Sequence, residues 1–223
     1  MLNRLRMFAK LIFSPLLYRY PPTGLQPERL ALYLNALLDR SSLEGDVAEI
    51  GCNLGGTAVM ASTLLRRTNS RARYICYDTF GGFVSTQFGA DEDHGTPANY
   101  RQMFSANSIQ LVRKILDMHG CQDVILVPGD IAATPEDTLS ASYSVVLLDV
   151  DLSEPTYAAL CLFWPRIVPG GAIFVDDCPP DYNWKTRLGY ERFCKERGLK
   201  EEYRFGLAIL RKAFPEFEPQ AGP

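Results

Sequence analysis

Five short apolar runs recur along the chain. They are Val47-Ala48-Glu49-Ile50, Tyr74-Ile75-Cys76-Tyr77, Val124-Ile125-Leu126-Val127, residues 144–148 and Ala172-Ile173-Phe174-Val175. Their hydrophobicity is nearly continuous, where a half-exposed strand would alternate. That is the pattern of strands covered on both faces, as in a parallel sheet between helices. Stretches of helical spacing separate them. In residues 26–40 the apolar positions are Leu30, Tyr33, Leu34, Leu37 and Leu38, one face of a 3.6-residue period. Further helices are predicted over residues 56–67, 99–118, 155–167 and 184–197, that over 155–167 stopped by Pro169-Gly170-Gly171. Two last strands, over residues 201–205 and 207–211, lie too close together for an intervening helix and read as an antiparallel hairpin. The expected fold is α/β and Rossmann-like: a mostly parallel seven-stranded sheet with a C-terminal antiparallel hairpin and helices on both faces.

The pattern divides the chain into an N-terminal arm (1–24), one α/β domain (25–213) and a short tail (214–223). At 223 residues one domain suffices. The arm mixes basic and apolar residues. It is too short for a membrane span, Pro15 interrupts it, and it lacks a small-residue cleavage site, which argues against a signal peptide. Two uses stay open for it. It can cover the domain or a partner subunit as an amphipathic helix, which leaves a homo-oligomer open, or it can dock at a membrane surface through Arg4, Arg6 and Lys10.

Composition narrows the partner. Hydrophobic residues make up 47% and charged residues 22%, with a net charge of −3. With no long Lys/Arg run, a nucleic-acid partner is not expected and a small molecule is. The six cysteines form no CxxC pair, and several sit inside apolar runs. They read as free buried thiols of a reducing compartment, the cytoplasm.

The turn after the first strand carries candidate chemistry. Glu49-Ile50-Gly51-Cys52-Asn53-Leu54-Gly55-Gly56-Thr57 has the spacing E-x-G-x-x-x-G-G. Gly51 permits a tight exit from the strand, while Gly55 and Gly56 allow close backbone approach and open a helix whose free N–H groups suit an anionic group. A dinucleotide site would show G-x-G-x-x-G instead. Asp78 ends the second strand, where a carboxylate can accept hydrogen bonds from ribose hydroxyls. Gly129 and Asp130 follow the third strand, where an acidic residue meets adenine, although Asp130 could equally cap a helix. The candidate cofactor set is therefore Glu49, Gly51, Asn53, Gly55, Gly56, Thr57, Asp78, Gly129, Asp130 and Asp149, and it points to S-adenosylmethionine.

Carboxylates gather at the next two strand ends, Asp149-Val150-Asp151 and Asp176-Asp177. Neighbouring strands lie about 5 Å apart, so up to four carboxylates meet at one mouth. Unpaired, such like charge is costly to hold in a partly buried place. No Lys or Arg adjoins either motif in sequence. A hard divalent cation such as Mg²⁺ resolves the repulsion through oxygen ligands, and without a His/Cys set zinc is not expected.

These motifs together resemble the macrocin O-methyltransferase family. The carriers are Gly45-Asp46-Val47-Ala48-Glu49-Ile50-Gly51 with Gly55-Gly56-Thr57, Tyr77-Asp78-Thr79-Phe80-Gly81-Gly82, residues 148–156, and Val168-Pro169-Gly170-Gly171 leading to Asp176-Asp177. The resemblance implies a class I S-adenosylmethionine-dependent methyltransferase acting on a hydroxyl of a sugar or natural product. It implies Mg²⁺ on Asp149, Asp176 and Asp177, and Asp151 as general base. A catechol- or phenol-type acceptor, or a non-catalytic cofactor-binding protein, are the alternatives. The acidic stretch 89–95 is expected as a solvated loop, or as part of a lid carrying His94.

Overall fold

The structure is a computed structural model describing residues 2–17 and 20–214. Seven strands form one sheet: β1 (Asp46–Ile50), β2 (Tyr74–Asp78), β3 (Ile125–Pro128), β4 (Tyr143–Leu148), β5 (Ile167–Val175), β6 (Tyr203–Arg204) and β7 (Leu207–Arg211). Their order is β3-β2-β1-β4-β5-β7-β6. The first five are parallel, and β7 runs antiparallel to both β5 and β6. The expected α/β architecture and its C-terminal hairpin are therefore present.

Among the described residues seven α-helices accompany the sheet: α1 (Leu2–Leu17), α2 (Pro27–Asp39), α3 (Gly56–Arg67), α4 (Ser85–Glu92), α5 (Ile109–Met118), α6 (Ser153–Phe163) and α7 (Thr186–Arg197). Four of the five apolar strands are sandwiched as their composition demands, whereas β3, at the sheet edge, is only exposed or half-buried. On one face Tyr33, Leu37, Leu65 and Val112 pack on Val47, Cys76, Val145 and Phe174. On the other, Leu160, Phe163, Tyr190 and Phe193 pack on Ala48, Ile50, Val146 and Ile173. Each large side chain so buried contributes about 1.5–3 kcal/mol over exposure.

Three expectations about elements are corrected. The helix foreseen over 99–118 begins only at Ile109, because Asn107 and Ser108 are used elsewhere. Asn107 donates to the Asn53 carbonyl at 2.8 Å, and the Ser108 hydroxyl caps α5 by accepting from Leu111 N at 3.2 Å. Pro169-Gly170-Gly171 does not merely stop a helix; it lies inside β5. Gly170 N donates to Lys212 O and Lys212 N to Gly171 O, so the segment is held in the sheet. The first hairpin strand is only two residues long.

Register positions the site. Ile50 pairs with both Tyr77 and Leu148, and Leu148 pairs with Val175. The residues that follow each strand, Gly51, Asp149 and Asp176, and the last residue of β2, Asp78, thus emerge along one sheet edge. It is the carboxyl edge, where open α/β sheets bind ligands.

Candidate active site

A cleft of about 290 Å³ opens at that edge. Of the sequence-predicted residues, Glu49, Gly51, Asn53, Gly56, Thr57, Asp78, Gly129, Asp130, Asp149, Asp151, Asp176 and Asp177 all line it. Gly55 does not. It turns the chain with φ 77° into α3, and a Cβ there would meet Val112 of α5 at 3.2 Å.

The loop after β1 is built on close approach. Gly51 has φ 86°, and a Cβ on it would lie 1.8 Å from the Asp149 carbonyl oxygen. Gly56 starts α3 directly beneath the chain at Pro22, where a Cβ would fall 2.4 Å from the Pro22 carbonyl carbon. The segment before α2 therefore crosses the helix start, and Thr23 and Thr57 hydroxyls meet at 3.3 Å. Asn53 sits at φ 47°, and its N–H donates to Asp78 Oδ2 at 2.9 Å while Phe80 N–H donates to Asp78 Oδ1 at 2.7 Å. Asp78 thus clamps the loop and a turn of its own. Glu49 is buried beneath it and accepts from the Tyr74 hydroxyl at 2.8 Å. Burial pushes its carboxyl up to about 8. Asp130 caps a 3-10 turn by accepting from Ala132 N at 3.0 Å, and its other oxygen accepts from Gln87 Nε2 at 2.8 Å.

The carboxylate cluster forms beside this loop. Oxygens of Asp149, Asp151 and Asp177 lie within 4.8 Å of one another. Asp151 and Asp177 both take left-handed backbone, at φ 63° and 55°, a conformation that Asp tolerates better than most residues and that persists where surrounding structure enforces it. The Lys185 N–H holding the Asp151 carbonyl at 3.0 Å is part of that enforcement. Burial, then the charge of Asp176, holds the Asp149 carboxyl well above the usual carboxylate range. Burial, then Asp177, does the same to Asp151. Asp176 is pushed up to about 6 by burial and Asp177, against the pull of Arg29.

Arg29 is the residue that the sequence reading missed. It arrives from α2 and is buried; one guanidinium nitrogen donates to Asp176 Oδ1 at 2.7 Å and to Asp177 Oδ1 at 2.8 Å. Its Nε donates to the Phe205 carbonyl at 2.9 Å in the hairpin turn. No signal near either acidic motif announces it. The counter-charge comes from more than a hundred residues away in sequence and holds both Asp176 and Asp177, of which Asp177 also meets Asp149 and Asp151. Four carboxylates against one cation still leave an excess of negative charge in an all-oxygen donor set, which suits a hard divalent cation.

A second unforeseen feature is an aromatic wall. Trp184 lies 4.8 Å from Tyr100 and 5.5 Å from Phe83 between ring centroids, and Phe83 lies 5.4 Å from Phe104. Phe83, Phe104 and Trp184 line the cleft opposite the Gly-rich loop. The stretch 89–95 is no solvated loop at its centre: Asp91 is fully buried and accepts from both Ser153 N and the Ser153 hydroxyl at the start of α6. His94 is exposed, shares its Nδ1 with the Ala90 carbonyl at 2.9 Å, and does not line the cleft.

Residues 29–204 match the family described as Macrocin-O-methyltransferase (TylF). The chain is 30% identical over 173 residues to the Mycinamicin III 3''-O-methyltransferase of Micromonospora griseorubida, 73% of this chain and 65% of that protein. It is 30% identical over 139 residues, 60% of this chain and 52% of the other, to the 8-demethyl-8-(2,3-dimethoxy-alpha-L-rhamnosyl)-tetracenomycin-C 4'-O-methyltransferase of Streptomyces olivaceus. The chain thus spans between half and two thirds of the length of these curated relatives. Its fold is that of the O-methyltransferase NovP, with a TM-score of 0.70 at 20% identity over 84% of this chain and 79% of the other. The calicheamicin methyltransferase CalS11 follows, with a TM-score of 0.66 at 24% identity over 94% and 91%.

Proposed function

This chain belongs to the macrocin-O-methyltransferase family, and on that footing we propose that it transfers a methyl group from S-adenosylmethionine to a hydroxyl oxygen of a small-molecule acceptor, a sugar or natural product, assisted by Mg²⁺. The observation that carries this reading is the meeting of Asp149, Asp151 and Asp177 beside the Glu49–Thr57 loop at one sheet edge. When bound, the cofactor supplies a methyl group on a sulfonium, and Mg²⁺ lowers the pKa of an acceptor hydroxyl and of the carboxylates around it.

The chain's own residues then bind, orient and move a proton. The Gly51–Gly56 backbone and the α3 N-terminus take the amino-acid end of the cofactor. Asp78 would accept from ribose hydroxyls, and Asp130 with Gln87, which line the same cleft, would face the base. Asp149 and Asp177 would hold the cation, with Asp176 beside them and Arg29 bound to both Asp176 and Asp177. Asp151, in the same cluster, would accept the hydroxyl proton at a carboxylate oxygen. The aromatic wall of Phe83, Phe104 and Trp184 gives an acceptor ring a flat apolar surface and keeps water from the reacting oxygen.

The reading is tested by incubating the protein with labelled S-adenosylmethionine and a panel of rhamnosyl and other deoxysugar glycosides, with Mg²⁺ and with EDTA. Transfer of label to a sugar hydroxyl that EDTA abolishes and Mg²⁺ restores is the expected result. Transfer only to phenolic hydroxyls would move the acceptor class, and transfer indifferent to EDTA would remove the cation.

A further inference from the structure

The helix α1 lies outside the sheet sandwich and has a face that none of the described residues covers. Its inner side is accounted for. Leu11 packs with Leu54, Leu111 and Ile115, Ser14 is fully buried, and Asn3 Nδ2 donates to Ser105 Oγ at 3.0 Å. Lys10 and Lys114 complete the seam through the carbonyls of Ala106 and Leu11. The outer side is a different matter. Leu5, Phe8, Ile12 and Leu16 follow one another at helical spacing and are exposed by 67%, 61%, 53% and 80%. Leu2, Phe13 and Leu17 flank them and are also exposed. Seven large apolar side chains on one 16-residue helix are far more than scattered surface hydrophobics, and a patch of that kind marks an interaction surface.

Charge says what covers it. The helix contains Arg4, Arg6 and Lys10 and no acidic residue. By helical spacing Arg4 stands on one margin of the apolar face, and Arg6 and Lys10 on the other. None of the three has an ion-pair partner among the described residues, whereas the chain as a whole carries −3. Isologous pairing with a second copy would bring six cations and no anion to one helix pair. A bilayer with anionic headgroups offers what both parts need, an apolar layer flanked by negative charge. The helix is about 24 Å long at 1.5 Å per residue, short of the roughly 30 Å hydrocarbon core, so it lies on the surface and does not cross it.

We propose that α1 docks the protein on an anionic lipid surface, with Leu5, Phe8, Ile12, Phe13 and Leu16 entering the headgroup boundary and the exposed Arg4 and Arg6 meeting the headgroups, while Lys10 stays in the inner seam on the Ala106 carbonyl. The inference is independent of the chemistry in the cleft. It has a spatial consequence for it, because the loop that α1 grips at Ser105 and Ala106 adjoins Phe104 of the aromatic wall.

The test is sedimentation of the full chain with vesicles of phosphatidylcholine alone and of phosphatidylcholine with phosphatidylglycerol, beside light scattering of the protein without lipid. Each basic residue at an anionic surface is worth about fivefold in partitioning, so binding to the anionic vesicles should exceed that to neutral ones by roughly 10- to 100-fold and fall steeply in high salt. Phe8→Ser/Ile12→Ser should lose binding to both. Arg4→Glu/Arg6→Glu, two exposed positions whose exchange leaves the packing of α1 intact, should lose the preference for anionic vesicles while titrating S-adenosylhomocysteine as before. Absence of vesicle binding, equal binding to both vesicle types, or a dimer in solution that Phe8→Ser/Ile12→Ser dissociates would each overturn the proposal, the last in favour of a second copy. Failure to take S-adenosylhomocysteine would bear on the methyltransferase reading alone.

Discussion

At the scale of single residues, conformation and charge decide what the site tolerates. Gly51 has two reasons to be glycine, a positive φ and the Asp149 carbonyl that a Cβ would strike. Gly51→Ala should therefore lose roughly 2–5 kcal/mol of stability by denaturant titration, the sum of strain and overpacking. Asp151→Asn should lower the methyl-transfer rate about 10²–10⁴-fold, the worth of a positioned base, with S-adenosylhomocysteine affinity nearly unchanged; an unaltered rate would send the proton elsewhere. Glu49 gives a pH signature. Its carboxyl stands at about 8 in the fold against an ordinary 4.5, so the folded state binds the extra proton. Its contribution to stability is complete below about 4.5, is lost as pH rises through the window to about 8, and changes no further above it. Glu49→Gln, which keeps an acceptor for Tyr74, should flatten that part of the profile, and Tm measured from pH 5 to 9 for both proteins reads the difference.

Elements explain what a linear reading finds and what it misses. Strands β1, β2, β4 and β5 were legible because burial on both faces leaves an unbroken apolar run, and the residues at their carboxyl ends were legible as a consequence. Glu49, Asp78 and the pairs Asp149/Asp151 and Asp176/Asp177 all line the cleft for that reason. Arg29 was not legible, since its helix is read by the apolar face formed by Leu30, Tyr33 and Leu37 and its charge acts on the far end of the chain. Nor were Phe83, Phe104 and Trp184, which only the fold of three separate loops brings together, or Asp91, whose partner Ser153 lies 62 residues on. The link from α2 to the end of β5 carries its own prediction. Arg29→Met removes the one cation from a buried pair of carboxylates and should destabilise the fold by about 3–5 kcal/mol at neutral pH. Without Arg29 the Asp176 carboxyl rises further above about 6, so the variant's folded state takes up its proton at higher pH, and the loss should shrink as pH falls toward about 6 and change no further below it. A thermal melt at pH 5 and pH 8 distinguishes this from simple loss of packing, which would be indifferent to pH.

For the whole molecule, the sheet places one loop for a cofactor and one carboxylate cluster side by side, and the chemistry follows from their adjacency. If Mg²⁺ binds the folded state at Asp149 and Asp177, millimolar Mg²⁺ should raise Tm by the mass-action term that any native-state ligand supplies, and Asp177→Asn should abolish the rise. The cofactor decides the reading, because the Glu49–Thr57 spacing departs from that of a dinucleotide site, whereas Asp78 suits the ribose of either ligand. Calorimetric titration of the protein with S-adenosylhomocysteine and, separately, with NAD tests it most directly. The account predicts saturable one-to-one binding of S-adenosylhomocysteine, weakened by Asp78→Asn, and no heat from NAD. Binding of NAD without S-adenosylhomocysteine would contradict it.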